Sequence, residues 1–166
     1  MAKIALKKKF VYREIVKRLP NGKRTRFQLI EHPGAVLIVP FLTQDKILML
    51  RQYRPAIGRY LLELPAGTLE RGENAAVCAR RELIEETGFQ AGTLTRLGKI
   101  YPVPGYSTEI ITIFRAEKLS PAYAPGDADE IIQPCVMTRA QIRRLFSKGK
   151  IYDAKTICAL TLVRWL

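Results

Sequence analysis

At 166 residues the chain has the length of one domain, and its 48% hydrophobic content is enough for a core of its own. No apolar run approaches the ~18 residues that mark a membrane-spanning helix, and the basic N-terminus is not followed by the continuous apolar stretch of a secretory signal. The net charge of +13 is concentrated at the front, where residues 1–26 carry ten Lys or Arg against the single acid Glu14.

Such a basic segment could hold nucleic acid or an acidic membrane surface. Here, however, apolar and basic residues interleave, with Lys7, Phe10 and Tyr12 on one arm and Asn21-Gly22 where a turn is needed. That pattern favours a solvated amphipathic hairpin, with strands at 4–18 and 24–31. Neither a membrane nor nucleic acid is expected as a partner, and a basic shell would steer polyanionic substrates inward. Strands follow at 35–41 and 46–51, with a short one at 60–64, and a helix is predicted over 74–87. Further strands are predicted at 93–101, 109–116 and 131–137. Thr138 with Gln141 forms a capping box for a helix to about residue 147, ended by Gly149. Asp153 caps a last helix running to about residue 165. Strands, a central helix, more strands and terminal helices describe a mixed sheet between helices. Cys78, Cys135 and Cys158 are odd in number and lack metal-ligand spacing, so they read as reduced core cysteines of a cytoplasmic protein. His32 is the only histidine and reads as a loop residue before Pro33-Gly34.

The segment GTLERGENAAVCARRELIEETGF, from Gly67 to Phe89, carries the chemistry. Glu82, Glu85 and Glu86 stand at i, i+3 and i+4, one face of a helix. Three like charges on one stripe repel, and Arg81 can answer only part of that through an i,i+4 pair with Glu85. A hard divalent cation, which prefers oxygen ligands and shares them with phosphates, explains the cluster most simply. Around it, Gly67 and Gly72 punctuate a turn, while Glu73 and Asn74 open the helix. Val77, Leu83 and Ile84, helped by Ala76 and Ala79, are expected on the core face. Gly88 ends the helix in a left-handed conformation.

The segment matches G-x5-E-x7-R-E-U-x-E-E-x-G-U, U being bulky and apolar, at Gly67, Glu73, Arg81, Glu82, Leu83, Glu85, Glu86, Gly88 and Phe89. It thereby resembles the Nudix box, the signature of hydrolases that cleave a nucleoside diphosphate linked to another group. RQYRPA at 51–56, ELPAG at 63–67, YPVPG at 101–105 and GKIYDAKTICAL at 149–160 flank it, with Pro104 falling 16 residues after Gly88. These strings resemble the ADP-ribose pyrophosphatase branch of that family. The resemblance implies an α/β fold: a Nudix-type α/β/α sandwich with a mixed central sheet at 34–166, preceded by a basic β-hairpin segment at 1–33. It also implies a homodimer in which the N-terminal strands reach across to the partner's site.

The expected activity is hydrolysis of the pyrophosphate of ADP-ribose, or a related ADP-sugar, to AMP and ribose 5-phosphate. Alternatives are GDP-mannose, NADH, a dinucleoside polyphosphate or a capped RNA end as substrate, or a module that binds ADP-ribose or RNA without cleaving it. The resemblance implies Glu82 and Glu86 as ligands of two or three Mg²⁺ (or Mn²⁺) ions, with Glu85 close by and the Ala66 carbonyl as a further ligand. Arg81 would orient the glutamates. Arg51 and Arg54 are candidates for holding phosphate, because a guanidinium fork matches phosphate oxygens. Glu63 is expected behind the metals, and Phe27 stacked on the base, with Pro104 and Gly105 also contacting substrate. The general base is expected on the loop 120–132, which offers Asp127, Asp129 and Glu130; Glu130 is preferred, with Glu85 as the alternative.

Overall fold

The computed structural model describes residues 11–126 and 129–166. The first part of the expected N-terminal strand, with Lys7 and Phe10, and the candidate Asp127 lie outside the described residues. Strands β1 (Val11–Arg18) and β2 (Arg24–Glu31) pair antiparallel as a separate two-stranded sheet. Gly22 takes φ 81° in the turn between them, and Asn21 Oδ1 accepts from the Lys23 amide at 3.1 Å. This is the turn chemistry the Asn-Gly pair dictates.

The main sheet has seven strands: β3 (Ala35–Thr43), β4 (Lys46–Arg54), β5 (Arg59–Glu63), β6 (Ala66–Thr68), β7 (Phe89–Ile100), β8 (Ile111–Pro121) and β9 (Ile132–Thr138). β3 and β8 run parallel; the other pairings are antiparallel, so the sheet is mixed. β3 and β4 pair only near their turn, at Phe41–Ile47 and Thr43–Lys46. Beyond it β3 takes β6 and β8 as neighbours, while β4 takes β5 and β9.

β3 is an unbroken apolar run, buried from Ala35 to Phe41, as expected of a strand covered on both faces. Its period of two sends Val36 and Ile38 to one side, where Cys78, Ala79 and Leu83 of helix α1 (Ala75–Thr87) meet them. Leu37, Val39 and Phe41 point the other way. There Ile142 of α2 (Arg139–Ser147) and Ala159 and Leu160 of α3 (Ala154–Leu162) close a second core. Each of the Val, Ile, Leu and Phe side chains among these contributes about 1.5–3 kcal/mol on burial. The result is an α/β/α sandwich.

Several expectations need correction in detail. Val77 is exposed rather than on the core face; it lies two residues, about 200° of helical turn, from buried Ala79, and Cys78 takes its place in the core. Only Cys78 is a core cysteine: all three are free, but Cys135 is half-buried and Cys158 exposed. β6 is a strand that three residues of ELPAGT could not announce by alternation. β7 begins at Phe89, immediately after Gly88 turns the chain at φ 73°. α3 stops at Leu162 because Arg164 adopts φ 58°. The reversal folds Trp165 back into the core, edge-on to Phe41 with ring centroids 5.4 Å apart.

Candidate active site

α1 is capped at both ends as its sequence requires. Asn74 Oδ1 accepts from the Ala76 amide at 2.8 Å, and the Gly88 amide donates to the Ile84 carbonyl at 2.9 Å. The last two turns of this helix carry Glu82, Glu85 and Glu86 to one wall of a cleft of about 410 Å³. The opposite wall comes from the segment after β8 and the start of β9, through Tyr123, Ala124, Gly126, Glu130, Ile132 and Pro134. Two backbone contacts hold that segment against the helix end. The Ala122 amide donates to the Gly88 carbonyl at 2.9 Å. Gly126 lies so close that a Cβ there would sit 3.3 Å from the Glu85 carbonyl oxygen. The structure thus brings Glu130 into one cleft with the three helical glutamates.

Arg81 is the organiser of the acidic face. It donates to Glu73 at 3.1 Å, to Glu82 at 2.8 Å and to Glu85 at 2.9 Å, the last being the expected i,i+4 pair. Its hydrogen bonds hold the Glu73 carboxylate below its ordinary range, helped by the Glu70 amide. Glu82 differs: burial dominates and pushes its carboxyl up to about 7, against the pull of Arg81 and with further push from Glu85 and Glu130. Glu86 is buried beneath them. Desolvation raises it well above the ordinary carboxylate value, although it accepts from the Ala66 amide at 2.9 Å and feels Arg54.

Gly67 shows how tightly the site is drawn. A Cβ at this position would overlap the Glu82 carboxylate, so the glycine is there for space. Gly67→Ala is expected to displace Glu82 and cost about 10²-fold in turnover, measured by steady-state kinetics. A variant within threefold of wild type would mean that Glu82 can occupy another position without loss.

The donor set fits a hard divalent cation. It is all oxygen, Glu82 and Glu86 feel the charges of the carboxylates around them, and Arg81 and Arg54 are the cations set against them. Among the described residues, no three acidic, histidine or cysteine side chains already converge as a complete ligand set. Ligation would therefore need oxygens from the backbone, water or a substrate phosphate, as is usual for Mg²⁺.

The remaining candidates are distributed elsewhere. Arg54 is engaged by Glu63, which accepts from its Nε at 2.8 Å and its Nη2 at 2.6 Å; Glu63 is fully buried. The Arg54 charge still acts on Glu86 and Glu130, so it sits at the cleft's margin. Arg51 lies 3.9 Å over the Tyr60 ring and donates to Gln133 Oε1 at 3.0 Å. Phe27, Pro104 and Gly105 do come together, but in a separate groove of about 270 Å³ between the hairpin and the loop 104–108. That groove shares no lining residue with the acidic cleft. Sequence reasoning missed Tyr123, which lines the cleft while 91% exposed, and Lys155, whose ammonium meets Glu63. An aromatic on the same loop as the expected base could have flagged Tyr123; nothing local singles out Lys155.

A seven-stranded mixed sheet sandwiched by helices, with this acidic helix at its open end, defines the Nudix class. The NUDIX domain model matches residues 31–160, and the chain belongs to that family. It is 39% identical over 144 residues to an ADP-ribose pyrophosphatase of Bacillus subtilis, covering 86% of this chain and 78% of that one. A methanol dehydrogenase activator of Bacillus methanolicus is 37% identical with the same coverage. A crystal structure of an ADP compounds hydrolase superposes with a TM-score of 0.80 at 30% identity, covering 99% of this chain and 88% of that one.

Proposed function

We propose that this protein hydrolyses the pyrophosphate bond of ADP-ribose, or of a closely related ADP-sugar, to AMP and the sugar phosphate. The observation that carries the reading is the cleft that faces Glu82, Glu85 and Glu86 with Glu130. The similarity to an ADP-ribose pyrophosphatase over most of both chains supports the substrate class. Glu82, Glu86 and the Ala66 carbonyl would hold two or three Mg²⁺ or Mn²⁺ ions together with the substrate phosphates. When bound, such ions withdraw charge from phosphorus and make an attacking water more acidic.

The protein's own groups then have separate tasks. Glu130 accepts the proton of the attacking water, one P–O bond forms, and the bridging P–O bond breaks toward the leaving phosphate. Arg54, through the N–H groups that Glu63 leaves free, and Arg51 would donate to the phosphate oxygens. Arg81 bridges Glu82 and Glu85 through one Nη1 and keeps them aimed. Phe27, with Pro104 and Gly105, offers an apolar surface for a base; its separate groove suits a nucleoside held away from the reacting phosphates. A homodimer is proposed on the exposed Val11, Tyr12 and Val16 of the hairpin. The hairpin meets the main body through Ile30, whose backbone pairs with Tyr106 and Thr108. Free cysteines suit a reducing, cytoplasmic setting, and among the described residues no helix is long and apolar enough to cross a membrane.

The test is phosphate release in a coupled phosphatase assay with Mg²⁺ across ADP-ribose, GDP-mannose, NADH and diadenosine polyphosphates. ADP-ribose is expected to give the highest kcat/KM. Glu130→Gln should lower kcat by about 10²- to 10⁴-fold with little change in KM. Turnover of another substrate in preference would replace the ADP-sugar reading, and no turnover of any would leave a binding module in its place.

A further inference from the structure

Glu63 is a fully buried carboxylate on β5, and three hydrogen bonds converge on it from two cations. Arg54, at the end of the neighbouring strand β4, grips both oxygens in a bidentate fork. The second cation is Lys155, which comes from the first turn of α3, 92 residues further along the chain. Its ammonium lies on Glu63 Oε2 and also donates to Asp153 Oδ1 at 2.9 Å, and Asp153 is in turn the cap of α3. The four groups form a closed set of two positive and two negative charges.

Each member has a definable part. The Arg54 fork gives each oxygen of the buried carboxylate one hydrogen bond, whereas an ionised oxygen can accept two. Lys155 supplies the second bond to Oε2, so two cations from different elements fix the Glu63 carboxylate that holds Arg54. Glu63 is 1% exposed at its side chain, whereas Arg54 keeps 35% exposure. The arginine is therefore anchored through Nε and Nη2 and partly exposed elsewhere, and the charges of Glu86 and Glu130 act on it. An anchored guanidinium binds an anion with less loss of side-chain entropy than a free one.

We infer that Lys155 is a positioning residue for the reaction: by clamping Glu63 it presents Arg54 to the substrate diphosphate, making the C-terminal helix part of the binding site. This rests on the proposed role of Arg54 with phosphate. Lys155 itself does not touch the substrate.

A neighbouring contact supplies the control for a merely structural role. Thr156, the next residue, is buried and accepts from the Leu64 amide at 2.9 Å, tying the same helix to the residue that follows β5 without touching Glu63. Affinity for α,β-methylene-ADP, whose P–C–P bridge resists hydrolysis, would be measured by calorimetry with Mg²⁺ for wild type, Lys155→Met, Lys155→Arg and Thr156→Val. Thermal midpoints would be recorded for all four. Lys155→Met is expected to bind about tenfold more weakly, with Lys155→Arg restored to within about threefold. Thr156→Val should lose thermal stability and keep wild-type affinity. Wild-type affinity in Lys155→Met, or equal weakening in Lys155→Met and Thr156→Val, would overturn the inference. Because the ligand is not turned over, the result is separate from whether ADP-ribose is the substrate. In steady state the same Lys155→Met variant should show a raised KM at nearly unchanged kcat.

Discussion

Glu86→Gln is expected to lower kcat by about 10³-fold while leaving the metal-free protein at least as stable as the wild type. The loss follows from removing a ligand charge from the cleft where pyrophosphate charge must be balanced. The absence of a stability cost follows from burial. Glu86 is 7% exposed, its carboxyl is pushed well above the ordinary value, and its bond from the Ala66 amide needs only an acceptor oxygen. Glutamine keeps that acceptor and its shape but never ionises. An ordinary core substitution costs about 1 kcal/mol or more, so activity falling without stability would mark a group retained for chemistry. Steady-state kinetics with Mg²⁺ and thermal denaturation in EDTA measure the two halves. Turnover within tenfold of wild type would remove Glu86 from the site. Destabilisation at neutral pH would make it a structural hydrogen-bonding group.

The second large effect is on the pH dependence of the metal-free protein. Glu82 has an ordinary value of 4.5 in the unfolded chain and about 7 when folded, burial being the main cause. Between those values the folded state binds the extra proton, so stability is full below about 4.5 and declines as pH rises toward 7. The shift corresponds to at most about 3 kcal/mol. Partial solvent access to Glu82 reduces that to about 2 kcal/mol, or a fall of roughly 4–8 °C in the thermal midpoint for a chain of this size. Glu86 adds to the decline in the same direction. Glu63 acts in the opposite sense: burial pushes it up, but Arg54 and Lys155 together outweigh that and hold it below its ordinary value, so its contribution is lost only as pH falls below about 4.5. The two windows do not overlap. Differential scanning fluorimetry from pH 5 to 8 in EDTA should show the decline, and added Mg²⁺ should flatten it. Glu82→Gln should flatten it as well; an unchanged slope in that variant would assign the effect to other groups.

How much of this was legible in the sequence depended on whether the signal was local. Arg81, Glu82, Glu85 and Glu86 are bound by helical spacing, Gly67 by its fixed place in the same motif, and one stretch of 23 residues announces both the helix and its acidic face. The capping residues Asn74, Thr138 and Asp153 act within three positions, so they too could be read directly. Glu130 was reachable from its place before β9, but its position opposite α1 depends on a turn that only tertiary contact fixes. Arg54 was chosen for phosphate by its type, whereas its bidentate bond to Glu63 requires the β4–β5 pairing to be known. Lys155 was not legible at all: a lysine at the start of a helix reads as a solvated charge until the helix is docked. The inward-facing side of α1 was half legible: Leu83, Ala79 and Cys78 were expected in the core and are there, but Val77 is exposed and Ile84 lines the cleft.

The fold-back at Arg164 has a consequence for which parts of the molecule yield together. Trp165 completes the core under α3, and Arg143 of α2 donates to its carbonyl at 3.0 Å. One aromatic ring therefore couples both helices of that layer to β3, on the face of the sheet away from the acidic helix. Loosening it would free α2 and α3 as a unit, and Asp153 and Lys155 would leave Glu63 with them, while α1 keeps its own packing on the other face.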